Sequence, residues 1–316
     1  MASERKYRVW IEEVTSDGEI WGYILVAVAV IFLGIFFLLY EILAHRTSRI
    51  IFLSILGLVI LAAVIISIVT AATDPLSGQS VYYTLSDDGT HYYVSGLRDQ
   101  EAVNITIAAT FNEKPVKYIN DSAFKDKKKL EKVVIEDGIL TIGNSAFQNC
   151  TALKSVTLPD TLKNLGESAF EGSGIRSIII PGSVTSIGKC AFAGCEYLQS
   201  VTFKSGIKSI GDRMFYSCDS LTSVIIPDGV ISIKEYAFSF CDSLSTVSIP
   251  TSVTSIDNHV FGYCGKLTTI EYKGTKAQWN KISKVEGKYD SINGCLDWNY
   301  CTGKYTVKCS DGNLEK

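Results

Sequence analysis

Residues Ala146–Leu162 read AFQNCTALKSVTLPDTL, and close copies begin at Ala169, Ala191 and Ala237, with looser ones at Met214 and Val260. The aromatic residue of this stretch recurs at Phe124, Phe147, Phe170, Phe192, Phe215, Phe238 and Phe261, at intervals of 23, 23, 22, 23, 23 and 23 residues. A fixed period of this length is the mark of a solenoid that lays down one coil per repeat. The other apolar positions keep register with the Phe, as Ile142, Cys150, Leu153, Val156 and Leu162 do in one copy and Ile210, Cys218, Leu221, Val224 and Val230 in another. One coil alone leaves these side chains in water. Stacked coils bury them, and each buried Leu, Ile or Val then contributes ~1.5–3 kcal/mol.

The step Val156-x-Leu158 alternates with period two, which predicts a short strand with one face inward. Its equivalents are Val133/Ile135, Ile178/Ile180, Val201/Phe203, Val224/Ile226, Val247/Ile249 and Ile270/Tyr272. Four of the six prolines, Pro159, Pro181, Pro227 and Pro250, follow the last inward residue of a strand. Proline there removes a donor and fixes φ, so the chain turns at the same corner of each coil.

The pattern Ile-Gly-x-x-Ala-Phe-x-x-Cys-x-x-Leu-x-x-Val-x-Ile-Pro resembles the BspA-type, or treponemal-type, leucine-rich repeat, over roughly Ile105 to Tyr272. YKGTKAQWNKI (Tyr272 to Ile282) is similar to the usual end of such arrays, and LSDDGTHYYVSGL (Leu85 to Leu97) to their usual beginning. The resemblance implies a leucine-rich repeat β-solenoid of short parallel strands, displayed outside the cell in bacteria and some protists and used for adhesion and partner binding. The chain departs from the commoner leucine-rich repeat consensus, because no Asn ladder follows the strand.

It departs from secreted members too. Trp21–Tyr40 is twenty residues without a charge, and Ile50–Thr73 is again uncharged. At ~1.5 Å per residue each helix spans the ~30 Å hydrocarbon core. A signal peptide fits the first poorly, since a hydrophobic region there runs ~7–15 residues and this one follows Glu12, Glu13, Asp17 and Glu19. The expectation is a two-helix transmembrane hairpin with the nine-residue link EILAHRTSR. Arg46 and Arg49 flank the second helix and no Lys or Arg follows Thr73 until Arg98. The positive-inside rule then places the link in the cytoplasm and the repeats outside; Arg5, Lys6 and Arg8 pull the other way. Ser54, Gly57, Ala62 and Ala63 are small enough for close helix packing, and equally ordinary in single spans.

The expected organisation is a tail over 1–20, the hairpin over 21–73 (helices 21–40 and 50–73), an N-terminal cap over 74–120, repeats over 121–272 and a C-terminal cap over 273–316. In the first cap, Val81–Ser86, the Asp87-Asp88-Gly89 turn and Thr90–Val94 read as a β-hairpin, Asp-Gly being a type I′ signal. Extra residues within Ala109–Pro115 make its first coil irregular. In the second cap, Thr275-Lys-Ala-Gln278 is a capping box that opens a short helix presenting Trp279 and Ile282, and the tail through Tyr305 and Val307 lays a last strand on the final coil.

Cys150, Cys195, Cys218, Cys241 and Cys264 share one repeat position, with Ser173 and Lys127 at that position elsewhere. In-register side chains one coil apart keep their Cβ atoms beyond the ~3.8 Å a disulfide favours, so buried free thiols are expected. Cys295, Cys301 and Cys309 break register, and a disulfide among them and free thiols stand level. The strands' outward residues, Thr157, Ile179, Thr202, Ile225, Ser248 and Glu271, line the concave sheet; such rows are ordinary cross-strand packing and offer few anchors for a partner.

The aromatics gather elsewhere. Tyr216, Phe240 and Tyr263 occupy the gap between Phe and Cys in three successive coils, with Tyr197, Tyr236 and His259 at nearby repeat positions. Either they stack on one another and cover the coil edge, or they form a contact patch. Lys125–Lys129 (KDKKK) is a solvated turn or a contact for anionic headgroups or envelope polymers. Asn104, Asn120 and Asn149 head glycosylation acceptor patterns, which matter only in a glycosylating host.

His45, His91 and His259 are too dispersed for a metal or nucleophile set, and no phosphate loop, GxSxG or HExxH motif occurs. The net charge of −3 gives no argument for nucleic acid. No enzyme activity, metal or cofactor is expected. The expected function is membrane-anchored, extracellular recognition of a protein or polysaccharide, with membrane lipids as the other contact and Tyr216, Tyr236, Phe240, His259 and Tyr263 as the binding residues. The alternative is a structural or accessory subunit that joins other membrane subunits through the hairpin.

Overall fold

The computed structural model describes residues 80–204, 206–284 and 305–315, all within one compact unit, Ser80–Lys316. The two apolar stretches, Arg46, Arg49, Cys295 and Cys301 lie outside the described residues. Among the described residues no helix is long and apolar enough to cross a membrane.

The unit opens with the antiparallel strands β1 (Val81–Leu85) and β2 (Tyr92–Leu97). They form the hairpin read from the sequence, but Asp88-Gly89 does not make a type I′ turn. Of that pair only Gly89 has a positive φ, 68°, and the loop runs from Ser86 to His91. Backbone bonds close it, from Gly89 N to Ser86 O and from Ser86 N to His91 O, both at 2.9 Å, and the Asp88 carboxylate braces it by accepting from Ser86 Oγ, Thr90 N and Thr90 Oγ at 2.6–3.0 Å. Those hydrogen bonds to the carboxylate, Ser86 first, hold the Asp88 carboxyl down to about 2.

After β3 (Asn104–Ile107), the stretch expected to be irregular is a second hairpin, β4 (Thr110–Phe111) with β5 (Lys114–Ile119). Asn112 and Glu113 turn it with φ of 44° and 61°, the pair of positive values a type I′ turn requires. Its purpose is visible in the packing. Phe111 stacks on Tyr83 at 4.6 Å and meets the edge of Tyr92 at 4.9 Å, closing the first coil with aromatic surface.

From there each coil contributes two strands, a longer and a shorter. They are β6 (Lys132–Ile135) and β7 (Thr141–Ile142), β8 (Ser155–Thr157) and β9 (Asn164–Leu165), β10 (Ser177–Ile180) and β11 (Ser186–Ile187), then β12 (Ser200–Phe203) and β13 (Ser209–Ile210). The series continues with β14 (Ser223–Ile225), β15 (Ser232–Ile233), β16 (Thr246–Ile249), β17 (Ser255–Ile256) and β18 (Thr269–Tyr272). The longer strands are those the Val-x-Leu alternation predicts, paired parallel and in register, as in Val133↔Val156 and Val224↔Val247. The shorter ones form a second parallel ladder on another side, with pairs such as Ile142↔Leu165.

Glycine sets the spacing of the early coils at this second ladder. A Cβ on Gly143, Gly166 or Gly188 would lie 2.4–2.5 Å from backbone of the preceding coil. In later coils that position holds Lys234 and Asp257, an ion pair at 3.5 Å.

Both ladders stop at one junction, between β12 and β14 and between β11 and β13. The turns carry the stack across: Phe192 N donates to Met214 O at 3.0 Å and Gly194 N to Tyr216 O at 2.7 Å. The longer ladder also stops between β8 and β10, where the repeat interval shortens to 22.

Among the buried Leu, Ile, Val and Ala of the core, two stacks of side chains stand out along the coils. Phe124 to Phe261 form a continuous column of buried rings, centroids 4.9–5.7 Å apart and planes within 15°. Beside it run the thiols of Cys150, Cys195, Cys218, Cys241 and Cys264, free and buried. Each donates to the carbonyl of the preceding coil's Phe, at 3.0–3.3 Å. The far end is closed by the capping box of Thr275 and Gln278 on α1 (Lys276–Lys281), whose Trp279 packs on Tyr272 at 5.3 Å. β19 (Ser283–Lys284) ends the shorter ladder, β20 (Thr306–Cys309) extends the longer one beside β18, and β21 (Gly312–Glu315) folds back antiparallel on β20.

Candidate functional site

The corner that carries each Phe is built from alternating backbone hands. The residues two before and two after every Phe of the column have positive φ: Ser122 and Asp126 around Phe124, Ser145 and Asn149 around Phe147, and so on to His259 and Tyr263 around Phe261. This alternation lets N–H groups along the corner point at the next coil. Tyr236, Phe238 and Phe240 donate in turn to Asn258, Val260 and Gly262 carbonyls at 3.2, 2.9 and 2.8 Å.

Left-handed backbone suits Gly, and Asn and Asp adopt it more readily than most other side chains. The first three coils comply, with Ser122, Asp126, Ser145, Asn149, Ser168 and Gly172 at those positions; Cys190 and Arg213 then share their coils with Gly194 and Ser217. The outer edge of the first three is tied by polar side chains. Asn144 N donates to Asp121 Oδ1 at 2.7 Å, Glu167 N to Asn144 Oδ1 at 2.8 Å, Gln148 to Glu171 at 2.7 Å and Asn149 to Asp126 at 3.0 Å.

The last two coils do the opposite. Tyr236 (φ 55°), Phe240 (62°), His259 (52°) and Tyr263 (58°) put bulky rings on left-handed backbone. These are the residues read from the sequence as a candidate patch, and the structure gathers them into two columns. Tyr216, Phe240 and Tyr263 form one, with centroids 5.2 and 4.3 Å apart, the second pair nearly parallel at 13°. Tyr236 and His259 form the other, 5.1 Å apart at 16°, with the Arg213 guanidinium 4.7 Å over the Tyr236 ring. All are half-buried, while Tyr197 stands apart at 58% exposure.

Arg213 is the member that residue reading missed. Its signal was available in the column two before each Phe, which runs Ser, Ser, Ser, Cys, Arg, Tyr, His. Ser239, buried beneath, gives its hydroxyl to the His259 carbonyl.

The other sequence candidates are placed differently. On the longer-strand face Ile179 and Ile225 are 55% and 67% exposed among Ser and Thr. A shallow groove of about 520 Å³ there is lined by Thr157, Pro159, Ile179, Pro181, Asp160 and Lys204. In the KDKKK turn, Lys127 donates to Gln100 at 2.7 Å and Lys129 pairs with Glu101, so the turn is partly tied to the N-terminal cap. Of the three acceptor asparagines Asn104 is exposed, and Asn149 is engaged with Asp126. Burial pushes the thiols of Cys150 and Cys195 up to about 12 and those of Cys218 and Cys241 well above the ordinary range, which leaves them poor nucleophiles. Among the described residues no group of three His, Cys, Asp or Glu is placed to hold a metal ion.

A parallel β-solenoid with a stacked Phe column and a Cys-Leu-Val or Cys-Leu-Ile frame in five of its coils defines a leucine-rich repeat protein. Residues 117–217 and 169–283 match the BspA type leucine rich repeat region, in six copies, and the chain belongs to that family. Among solved structures it is similar to the T. pallidum leucine rich repeat protein TpLRR, with 23% identity over 61% of this chain and 83% of that one and a TM-score of 0.45. A leucine-rich repeat protein of Bacteroides ovatus is similar at 23% identity, covering 61% and 70%, TM-score 0.40. A leucine rich cell surface protein of Faecalibacterium prausnitzii is similar at 22%, covering 66% and 97%, TM-score 0.29. No curated protein matches the chain.

Proposed function

We propose that this chain is a membrane-anchored, extracellular binding protein without enzymatic activity, and that its contact surface is the aromatic edge of the last coils. The observation that carries this is the placement of Tyr236, Phe240, His259 and Tyr263 on left-handed backbone. A side chain there costs about 1–2 kcal/mol each relative to right-handed backbone, while the ring pairs add only ~0.5–1.5 kcal/mol each beyond their burial. Stacking makes the rings tolerable. It does not explain why rings replace the Ser, Asn and Gly that serve the same corners elsewhere, and strain of this kind collects at functional sites.

The arrangement favours a protein over a polysaccharide. Sugar rings bind aromatics on the flat face, and in the near-parallel pairs Phe240–Tyr263 and Tyr236–His259 the flat faces are turned towards one another. What is left for a partner is ring edges and phenol oxygens, the surface that Tyr offers at protein interfaces. The anchor rests on the uncharged stretches 21–40 and 50–73, which equally suit a hairpin that joins a membrane assembly.

The test is a photo-crosslinking amino acid at position 240 of the full chain, compared with one at position 157 on the longer-strand face, in cells that produce the protein. A discrete protein adduct at 240 and none at 157 is expected. Adducts at 157 alone would move the site to the sheet face, and stoichiometric membrane partners lost on deleting 21–73 would favour the subunit reading.

A further inference from the structure

Glu196, Asp219 and Asp242 directly follow the cysteines of three successive coils. Ser220 N donates to Glu196 O and Ser243 N to Asp219 O, both at 3.2 Å, which sets the three turns one above the other at the ~4.8 Å spacing of parallel strands. All three side chains are exposed. Cations of these coils pair with other acids: Lys189 with Glu167 at 3.1 Å, Arg213 with Asp212 at 3.0 Å and Lys234 with Asp257 at 3.5 Å. Among the described residues the three carboxylates make no ion pair, and the next coil changes sign only at Lys266. Burial, then the neighbouring Asp242 and Glu196, push the Asp219 carboxyl up.

This column and the rings share one turn. Glu196 adjoins the exposed Tyr197, Asp219 lies three residues past Tyr216, and Asp242 two past Phe240. Three aligned carboxylates repel a sulfated or uronic polysaccharide and an anionic membrane. They attract Lys and Arg, whose methylene stems lie along aromatic surface while the charged head stays in water. The chain already contains this contact in Arg213 over Tyr236.

Building on the contact edge proposed above, we infer that its partner presents a lysine- or arginine-bearing protein segment. The segment runs along the solenoid axis, with its cations against Glu196, Asp219 and Asp242 and its stems against Tyr216 and Phe240.

The test titrates fluorescein-labelled octa-arginine, octa-glutamate and heparin against the full chain. A triple variant E196Q/D219N/D242N is compared with a control that loses the same charge elsewhere on exposed acids, D87N/E113Q/E271Q. Octa-arginine is expected to bind the parent and the control alike and to weaken about tenfold or more in the triple variant, with steep loss of binding as salt is raised. Equal weakening in both variants would reduce the effect to net charge and overturn the inference, as would preferred binding of heparin. The crosslink at position 240 separates the two readings: if it persists in the triple variant, the aromatic edge stands and the cationic partner falls.

Discussion

The ring of Phe240 lies 4.3 Å from that of Tyr263, nearly parallel, and both side chains spring from left-handed backbone. Ring and backbone therefore pull in opposite directions at each position, and substitutions separate them. Phe240→Ala removes the ring and keeps the strain, whereas Phe240→Asn removes the ring and supplies a residue that tolerates φ > 0. The Asn variant is expected to be the more stable by about 1 kcal/mol, measured by urea unfolding. An Ala variant as stable as the Asn one would show that the corner is not strained.

Gly174 sits where the repeat is one residue short, and a Cβ there would lie 2.2 Å from the Thr151 carbonyl oxygen. Backbone cannot swing aside as a side chain can. Gly174→Ala is expected to cost about 3 kcal/mol or more, whereas Gly265→Ala, with open space around it, should stay within ~0.5 kcal/mol. Thermal unfolding of the pair decides, and similar midpoints would mean the short coil is slack.

The buried thiols make a pH prediction. Their folded pKa is raised by burial, to about 12 for Cys150 and Cys195, above an unfolded value of ~8.5. The unfolded chain therefore loses these protons first as pH rises. The stability they contribute is complete below about pH 8.5 and falls towards pH 12, with a slope of up to ~1.4 kcal/mol per pH unit per thiol. Cys195→Ser, which repeats the natural choice at Ser173, should flatten the decline between about pH 9 and 11. An unchanged slope in urea unfolding across that range would assign alkaline unfolding to other groups.

Lys204 reaches back two coils to Asp160 at 3.1 Å, and Lys273 does the same to Asp228 at 3.2 Å. Both pairs are about half exposed or more, so salt screens them. Asp160→Asn is expected to change stability by less than ~1 kcal/mol; a larger loss that vanishes at high salt would reveal a clip holding three coils together.

The parts of this molecule that were legible in the sequence are those where burial admits one kind of side chain. A Phe every coil, a small thiol beside it and Val-x-Leu in the strand each answer to a position with no solvent. The shorter ladder was not legible as strand, because two residues such as Thr141–Ile142 are too few to show a period. The left-handed corners were hidden for another reason: Ser, Asn and Asp are common in every kind of turn, so Ser145 and Asn149 announce nothing. The aromatic residues were visible as a cluster, but their division into two columns, with Arg213 capping one, depends on which of them precede the Phe and which follow. Asp88-Gly89 misled because only Gly89 of the pair takes left-handed backbone, and the loop runs on from Ser86 to His91.

The left-handed corners also say how such a molecule changes its acquaintances. The bend is made by backbone hydrogen bonds to the next coil, so each coil holds out two sockets whose contents are not needed to hold it in line. A single codon can exchange serine for tyrosine there while the Phe and Cys columns go on unaltered. Contact chemistry can thus turn over rapidly along one rim of a scaffold that stays fixed in every other respect.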